Sequence, residues 1–109
     1  GLTRDTMIWY WDHYLSDDSD KSNPYAVPST AQEFTQLPPA LIIAAEFDPL
    51  CDDASSYAEL LRQGANSVEY CYYDGMIHGF FGMTTNLDVA KKAVSHAAIA
   101  VKTAFANLL

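Results

Sequence analysis

The stretch "PPALIIAAEFDPLCDD", Pro38 to Asp53, decides the fold. Its apolar run, Ala40 to Ala45, has strand length and does not alternate. A strand of that kind is covered on both faces, as in parallel sheets flanked by helices. The run then stops at Glu46, Phe47 and Asp48, before Pro49. A second stretch behaves similarly: in "VEYCYYDGMIHGFF", Val68 to Phe81, the aromatic-rich strand "VEYCYYD" gives way to a loop holding His78 between Gly75 and Gly79. Between the two, "DDASSYAELLRQG" reads as a helix. Asp52 or Asp53 caps it, Ala54, Tyr57, Ala58 and Leu61 share one face, and Gly64 stands where a left-handed glycine ends a helix. Strand, helix, strand predicts a parallel pair with a right-handed crossover.

Upstream, Thr3 to Leu15 reads as a helix capped by Thr3, with Met7, Tyr10, Trp11 and Tyr14 at helical spacing. Ile8, Trp9 and Leu15 are apolar on its other faces, which predicts more than one neighbour. A long loop with Pro24, Pro28, Pro38 and Pro39 follows. Downstream of His78, Thr85 or Asn86 caps a final helix whose buried stripe is Leu87, Ala90, Val94, Ala97, Ala98, Val101, Phe105 and Leu108. Two parallel strands are too few to bury a run as apolar as Ala40 to Ala45. The expectation is therefore the C-terminal β-α-β-α portion of a larger α/β domain with an incomplete sheet. Residues 1–36 are its helix and connecting loop, and residues 37–109 its last two strands and helices. The missing strands come from upstream sequence or another chain.

The composition is globular: 109 residues, 50% hydrophobic, 13% aromatic and 18% charged. A chain of this length buries roughly 65% of its unfolded surface. Fourteen acidic residues against six basic give a net charge of −8, and only Lys91-Lys92 pairs two cations. That argues against nucleic acid and anionic membrane surfaces. No apolar run approaches the roughly 18 residues of a membrane span, and no signal-peptide pattern opens the chain at Gly1. Cys51 and Cys71 are too few for a disulfide framework and fit a reducing, cytoplasmic compartment. No CxxC, HExxH or glycine-rich phosphate loop occurs, so no cofactor or metal is expected. Asp17, Asp18 and Asp20 look like the start of a calcium loop. The turn glycine and final bidentate Glu do not follow, which leaves a hydrated acidic loop.

Functional side chains of an α/β sheet gather beyond the carboxyl ends of its strands. Asp48 lies just past the first strand and His78 in the loop after the second. Adjacent strands run about 4.8 Å apart, so an Asp-His hydrogen bond is geometrically reasonable. Pro49 disfavours helical geometry at Asp48. A carboxylate on one ring nitrogen fixes the imidazole tautomer, and the other nitrogen then takes a proton from a nucleophile and returns it to the leaving group. Glu46 and Asp74 compete for the acid role from less favourable places. His13 and His96, on predicted helices without partners, read as structural or surface residues. A nucleophile is missing: no Ser stands in a G-x-S-x-G elbow. Cys51, near a helix N-terminus, is the alternative as a low-pKa thiol. In α/β-hydrolases the chain order is Ser, Asp, His, so a C-terminal piece holds the last two and lacks the first.

"LPPALIIAAEFDPLCDD", "YAELLRQG" and "YYDGMIHGFF" together resemble the C-terminal third of the hormone-sensitive-lipase-like esterases, a branch of the α/β-hydrolases. The resemblance is close over Leu37 to Met83 and looser in the flanking helices. It implies that Asp48 is the triad acid and His78 the base. It also implies a serine in a G-D-S-A-G-type elbow and an H-G-G-G-type oxyanion loop, both absent here. The implied substrates are carboxylic esters with short or medium acyl chains, with no metal. Cys51 departs from the Arg that many relatives carry.

Met76 and Phe80, with Phe81, are candidates for lining the acyl pocket or for packing the loop. Alone, the 109-residue chain is expected to be inactive. Two rivals share the fold: a non-catalytic, hormone-receptor-like binding protein, disfavoured because plant gibberellin receptors lack the triad histidine, and a prolyl-oligopeptidase-type serine peptidase. A homodimer could form along the edge of the last strand.

Overall fold

Eight residues, Ala40–Phe47, form strand β1, and ten, Val68–Ile77, form β2. They pair in parallel, with Ala40 opposite Val68 and Ala45 opposite Tyr73, as a two-stranded sheet. The computed structural model describes residues 1–108; Leu109, the end of the expected span, lies outside the described residues. The order is α1 (Arg4–Tyr14), an irregular segment with two short 3-10 turns, β1, α2 (Cys51–Gln63), β2, a 3-10 turn at Phe80–Gly82, and α3 (Asp88–Ala106). This is the expected partial α/β fold, a β-α-β-α unit preceded by a helix and a long loop.

The continuous apolar run of β1 has the expected consequence. Ala44 and Ala45 point to opposite faces, and both are buried. On the Ala45 face, Phe80, Ala90 and Ala93 complete a core cluster against which Ile43, Tyr73 and Met76 pack. Helix α2 packs against both strands and buries Ala58 and Leu61, with Ala54 and Tyr57 half-buried on the expected face.

Several local expectations need correction. Helix α2 starts at Cys51 with Leu50 as its cap residue and no side-chain capping bond, so Asp52 and Asp53 fall inside the first turn. There their charges face the positive end of the helix dipole. Helix α3 likewise starts after Leu87, not at Thr85 or Asn86; the N–H groups of Asn86 and Leu87 close a turn on the Met83 carbonyl instead. Only the first half of α3 is buried: Ala90 and Ala93 are the sealed positions, whereas Val101, Phe105 and Leu108 of the expected stripe are exposed. Gly64 has φ −79, and the left-handed residue is Ala65 at φ 61. Gly64 answers to a different constraint, since a Cβ there would sit 2.1 Å from the Phe34 carbonyl oxygen. The Asn66 amide donates to that same oxygen and to the Leu61 carbonyl, and its Oδ1 accepts from Leu37 N–H at 2.8 Å. One side chain thus ties the entry to β1 to the exit of α2.

Helix α1 is capped by Thr3, whose hydroxyl accepts from Thr6 N–H. None of its residues is buried, and Ile8, Trp9, Tyr10, Trp11 and Tyr14 all stand exposed. No helix among the described residues is long and apolar enough to cross a membrane.

Candidate active site

Strand β2 does not stop at Asp74, as its composition suggested, but runs on to Ile77. The pairing steps from Ala45–Tyr73 to Phe47–Ile77, so two residues of β1 are matched by four of β2. Such a bulge needs backbone freedom, and Gly75 supplies it at φ 72. Its N–H donates to Glu46 Oε2 at 2.7 Å. Glu46, read from sequence as a rival acid, therefore fastens the bulge and is engaged away from the histidine. Among the described residues, no hydrogen bond or ion pair joins Asp74 to His78, whose carboxylate partner is Asp48.

The bulge delivers His78 as the first residue beyond β2, beside the end of β1. Its Nδ1 lies 2.9 Å from Asp48 Oδ2. A carboxylate can only accept, so Nδ1 carries the proton and donates it. The other oxygen, Oδ1, accepts from Leu50 N–H at 2.8 Å, an Asx turn that fixes the carboxylate to its own loop. Both oxygens thus have work: one holds the loop, the other aims the ring. The Asp48 side chain is 15% exposed and that of His78 44%, so the acid is shielded while the base opens outward. Nε2 has no hydrogen-bond partner among the described residues and is left as an acceptor. Gly79, at φ 80, turns the chain sharply after His78 so that Phe80 drops into the core.

Phe80 is only 3% exposed and lies 5.1 Å, centroid to centroid, from Tyr73. Met76 packs against the same cluster. Of the two expected pocket residues, Phe80 also borders a hollow of about 360 Å³ shared with Asp48 and His78, whereas Met76 does not line it. Sequence reasoning missed the other wall. A groove of about 400 Å³ beside His78 is lined by Leu50 and by Met7, Tyr10, Trp11 and Tyr14 of α1. The helical spacing of those four was visible, but nothing in it placed them against a loop more than sixty residues away. Cys51 approaches Tyr70, not His78.

Sequence reasoning also left His96 without partners. Its Nε2 is 2.6 Å from Glu69 Oε1, and its Nδ1 is 3.7 Å from Cys71 Sγ. Burial, and then the Glu69 charge, push the Cys71 thiol above its ordinary pKa. His13, by contrast, bonds the Trp9 carbonyl of its own helix and stacks on the Trp9 ring.

Comparison with known proteins places the fold of this chain among the α/β-hydrolases. A family described as alpha/beta hydrolase fold matches residues 1–82. Carboxylic ester hydrolase LipN of Mycobacterium tuberculosis is 39% identical over 83 residues, which is 75% of this chain and 22% of that protein. The hyperthermophilic esterase of the archaeon Pyrobaculum calidifontis superposes with a TM-score of 0.89 at 40% identity, over 94% of this chain and 33% of that one. EstE1, a thermostable carboxylesterase cloned from a metagenomic library, gives a TM-score of 0.91 at 29% identity, over 95% of this chain and 35% of that one. The chain thus spans between a fifth and about a third of the length of these relatives.

Proposed function

The chain belongs to the α/β-hydrolase-fold family, in its hormone-sensitive-lipase-like branch, and from that premise we propose that Asp48 and His78 are the acid and base of a serine triad that hydrolyses carboxylic esters. The single observation that carries this reading is the Nδ1–Oδ2 hydrogen bond of 2.9 Å, which leaves Nε2 as a free acceptor. The serine elbow, the oxyanion loop and the remaining strands belong to sequence outside these 109 residues. The open hollow over Leu41 and Ile43 of β1, and the unburied aromatic face of α1, are where those parts would pack.

In the assembled site, His78 Nε2 takes the serine proton as the hydroxyl oxygen attacks the ester carbonyl. The imidazolium that forms is held by Asp48. It then gives the proton to the departing alkoxide, and the alcohol leaves an acyl-enzyme. Water repeats the sequence, with Nε2 again as base, and frees the acid. The groove between α1 and His78 suits an apolar group of modest size, which points to esters of short or medium acyl chain. Phe80 supports the wall behind the histidine.

The test is hydrolysis of short-chain chromogenic esters by the intact protein and by the isolated 109 residues. Turnover is expected from the first and none from the second. An intact protein that binds such esters without turning them over would overturn the esterase reading, and turnover by the isolated piece would overturn the assignment of the nucleophile to sequence outside it.

A further inference from the structure

The cluster Glu69, Cys71 and His96 lies on the face of the sheet opposite α2 and takes no part in the proposed hydrolysis. Glu69 and Cys71 are two residues apart on β2, so their side chains share a face. His96 reaches them from α3, 25 residues beyond Cys71. One donor atom from each residue lies within 4.8 Å of the other two. We propose that these three residues form a binding site for a thiophilic divalent transition-metal ion of the zinc class, with water in the fourth position.

The donor geometry is near what such an ion needs. Zinc bonds of about 2.0–2.3 Å to N, O and S set tetrahedral donor–donor edges of about 3.3–3.7 Å. Cys71 Sγ stands 3.7 Å from the imidazole and 4.0 Å from Glu69 Oε1. The Glu69–His96 contact of 2.6 Å must open to about 3.3 Å as the ion enters between the two donors and the ring keeps its proton on the other nitrogen. At present the ring offers Nε2 to Glu69 and Nδ1 to Cys71. A turn about its Cβ–Cγ bond, which brings one nitrogen to both, is the rearrangement required. A thiolate, an imidazole and a single carboxylate select zinc, cobalt or cadmium over calcium and magnesium, which take all-oxygen sets. The thiol proton goes to solvent as the ion enters.

The site also has a structural rationale. Helix α3 packs mainly on β1 and on the turn after His78, and only weakly on β2. An ion held by Glu69, Cys71 and His96 would clip β2, an edge of the described sheet, to that helix. Without it, a half-exposed His–Glu pair adds little stability.

The test uses the intact protein, stripped by a chelator and titrated with cobalt(II). One equivalent is expected to produce a thiolate-to-cobalt charge-transfer band, to be displaced by zinc, and to raise the melting temperature. The band and the rise are expected to vanish in Cys71→Ser and in His96→Gln, and to persist in Cys51→Ser and Asp48→Asn. If Cys71→Ser fails to fold, His96→Gln carries the test. No band in the parent protein, a band surviving both ligand variants, or one lost in Cys51→Ser instead would overturn the site.

Discussion

The carboxylate of Glu46 accepts the N–H of Gly75 at 2.7 Å, across the one irregular step of the parallel pair. That bond fastens the bulge from which the chain reaches His78. Regular pairing would carry β2 past the end of β1 in register. The bulge instead absorbs two extra residues, so that Ile77 comes opposite Phe47 and the imidazole arrives level with Asp48.

Replacing Glu46 should therefore disturb catalysis without touching substrate. In the intact protein, Glu46→Ala is expected to lower kcat for a short-chain ester about ten-fold with little change in KM. The stability loss should be about 1 kcal/mol, because a charge-assisted bond at an exposed position is worth less than a buried one. Gly75→Ala meets no steric neighbour but must hold a left-handed backbone, which costs about 1–2 kcal/mol. If Glu46→Ala keeps the parent kcat, the bulge does not position His78.

Asp48→Asn is expected to reduce kcat about 10⁴-fold, since an amide in place of the carboxylate loses the charge that supports the imidazolium and permits the wrong tautomer. The protein should stay folded, because the remaining carbonyl oxygen can still accept from Leu50 N–H, the bond that closes the loop at 2.8 Å. His78→Ala should abolish turnover to a similar depth. On the proposed triad, in which the two groups act as a unit, the double variant should be no worse than the worse single one. Additive losses measured in single-turnover assays would contradict the pairing.

How far the sequence could be read depended on where the information lay. Ala40 to Ala45 announced a doubly covered strand because covering both faces leaves a continuous apolar run, and Asp48 and His78 stood out at the ends of such segments. Helix starts were less legible. Leu50 and Leu87 occupy the cap positions without a side-chain bond, so the nearby Asp52, Asp53, Thr85 and Asn86 attracted a role they do not fill. The continuation of β2 through a glycine bulge depends on Glu46 in another strand. The cluster at His96 exists only once α3 is laid over β2, and no local spacing encodes that.

The end of α2 gives a stability test that separates two uses of glycine. Gly64→Ala would force its Cβ to within 2.1 Å of the Phe34 oxygen and 2.6 Å of the Phe34 carbonyl carbon. Backbone must move, and the bond from Asn66 to the same oxygen is disturbed with it. A loss of about 2–3 kcal/mol in urea unfolding is expected. Ala65→Gly should have the opposite sign, gaining about 1 kcal/mol by relieving a left-handed alanine. If Gly64→Ala is neutral, the approach of Phe34 does not constrain that corner.

Alkaline pH should weaken the fold through the groups beneath α2 and α3. Burial, followed by the neighbouring Cys51, pushes the Tyr70 phenol above its ordinary 10.0. Burial, followed by Cys71 and Glu69, does the same for Tyr73, and the Cys71 thiol rises from 9.0 through burial and then Glu69. Each group keeps its proton longer folded than unfolded. Their contribution is thus complete below the ordinary values and is lost as the pH climbs through 9.0 and 10.0 toward the folded ones. In the intact protein, the urea midpoint should fall between about pH 8 and about pH 10.5. The slope should flatten in Tyr70→Phe and Tyr73→Phe, which keep the ring but have no proton to lose. An unchanged slope in both variants would show that neither tyrosine carries the alkaline sensitivity.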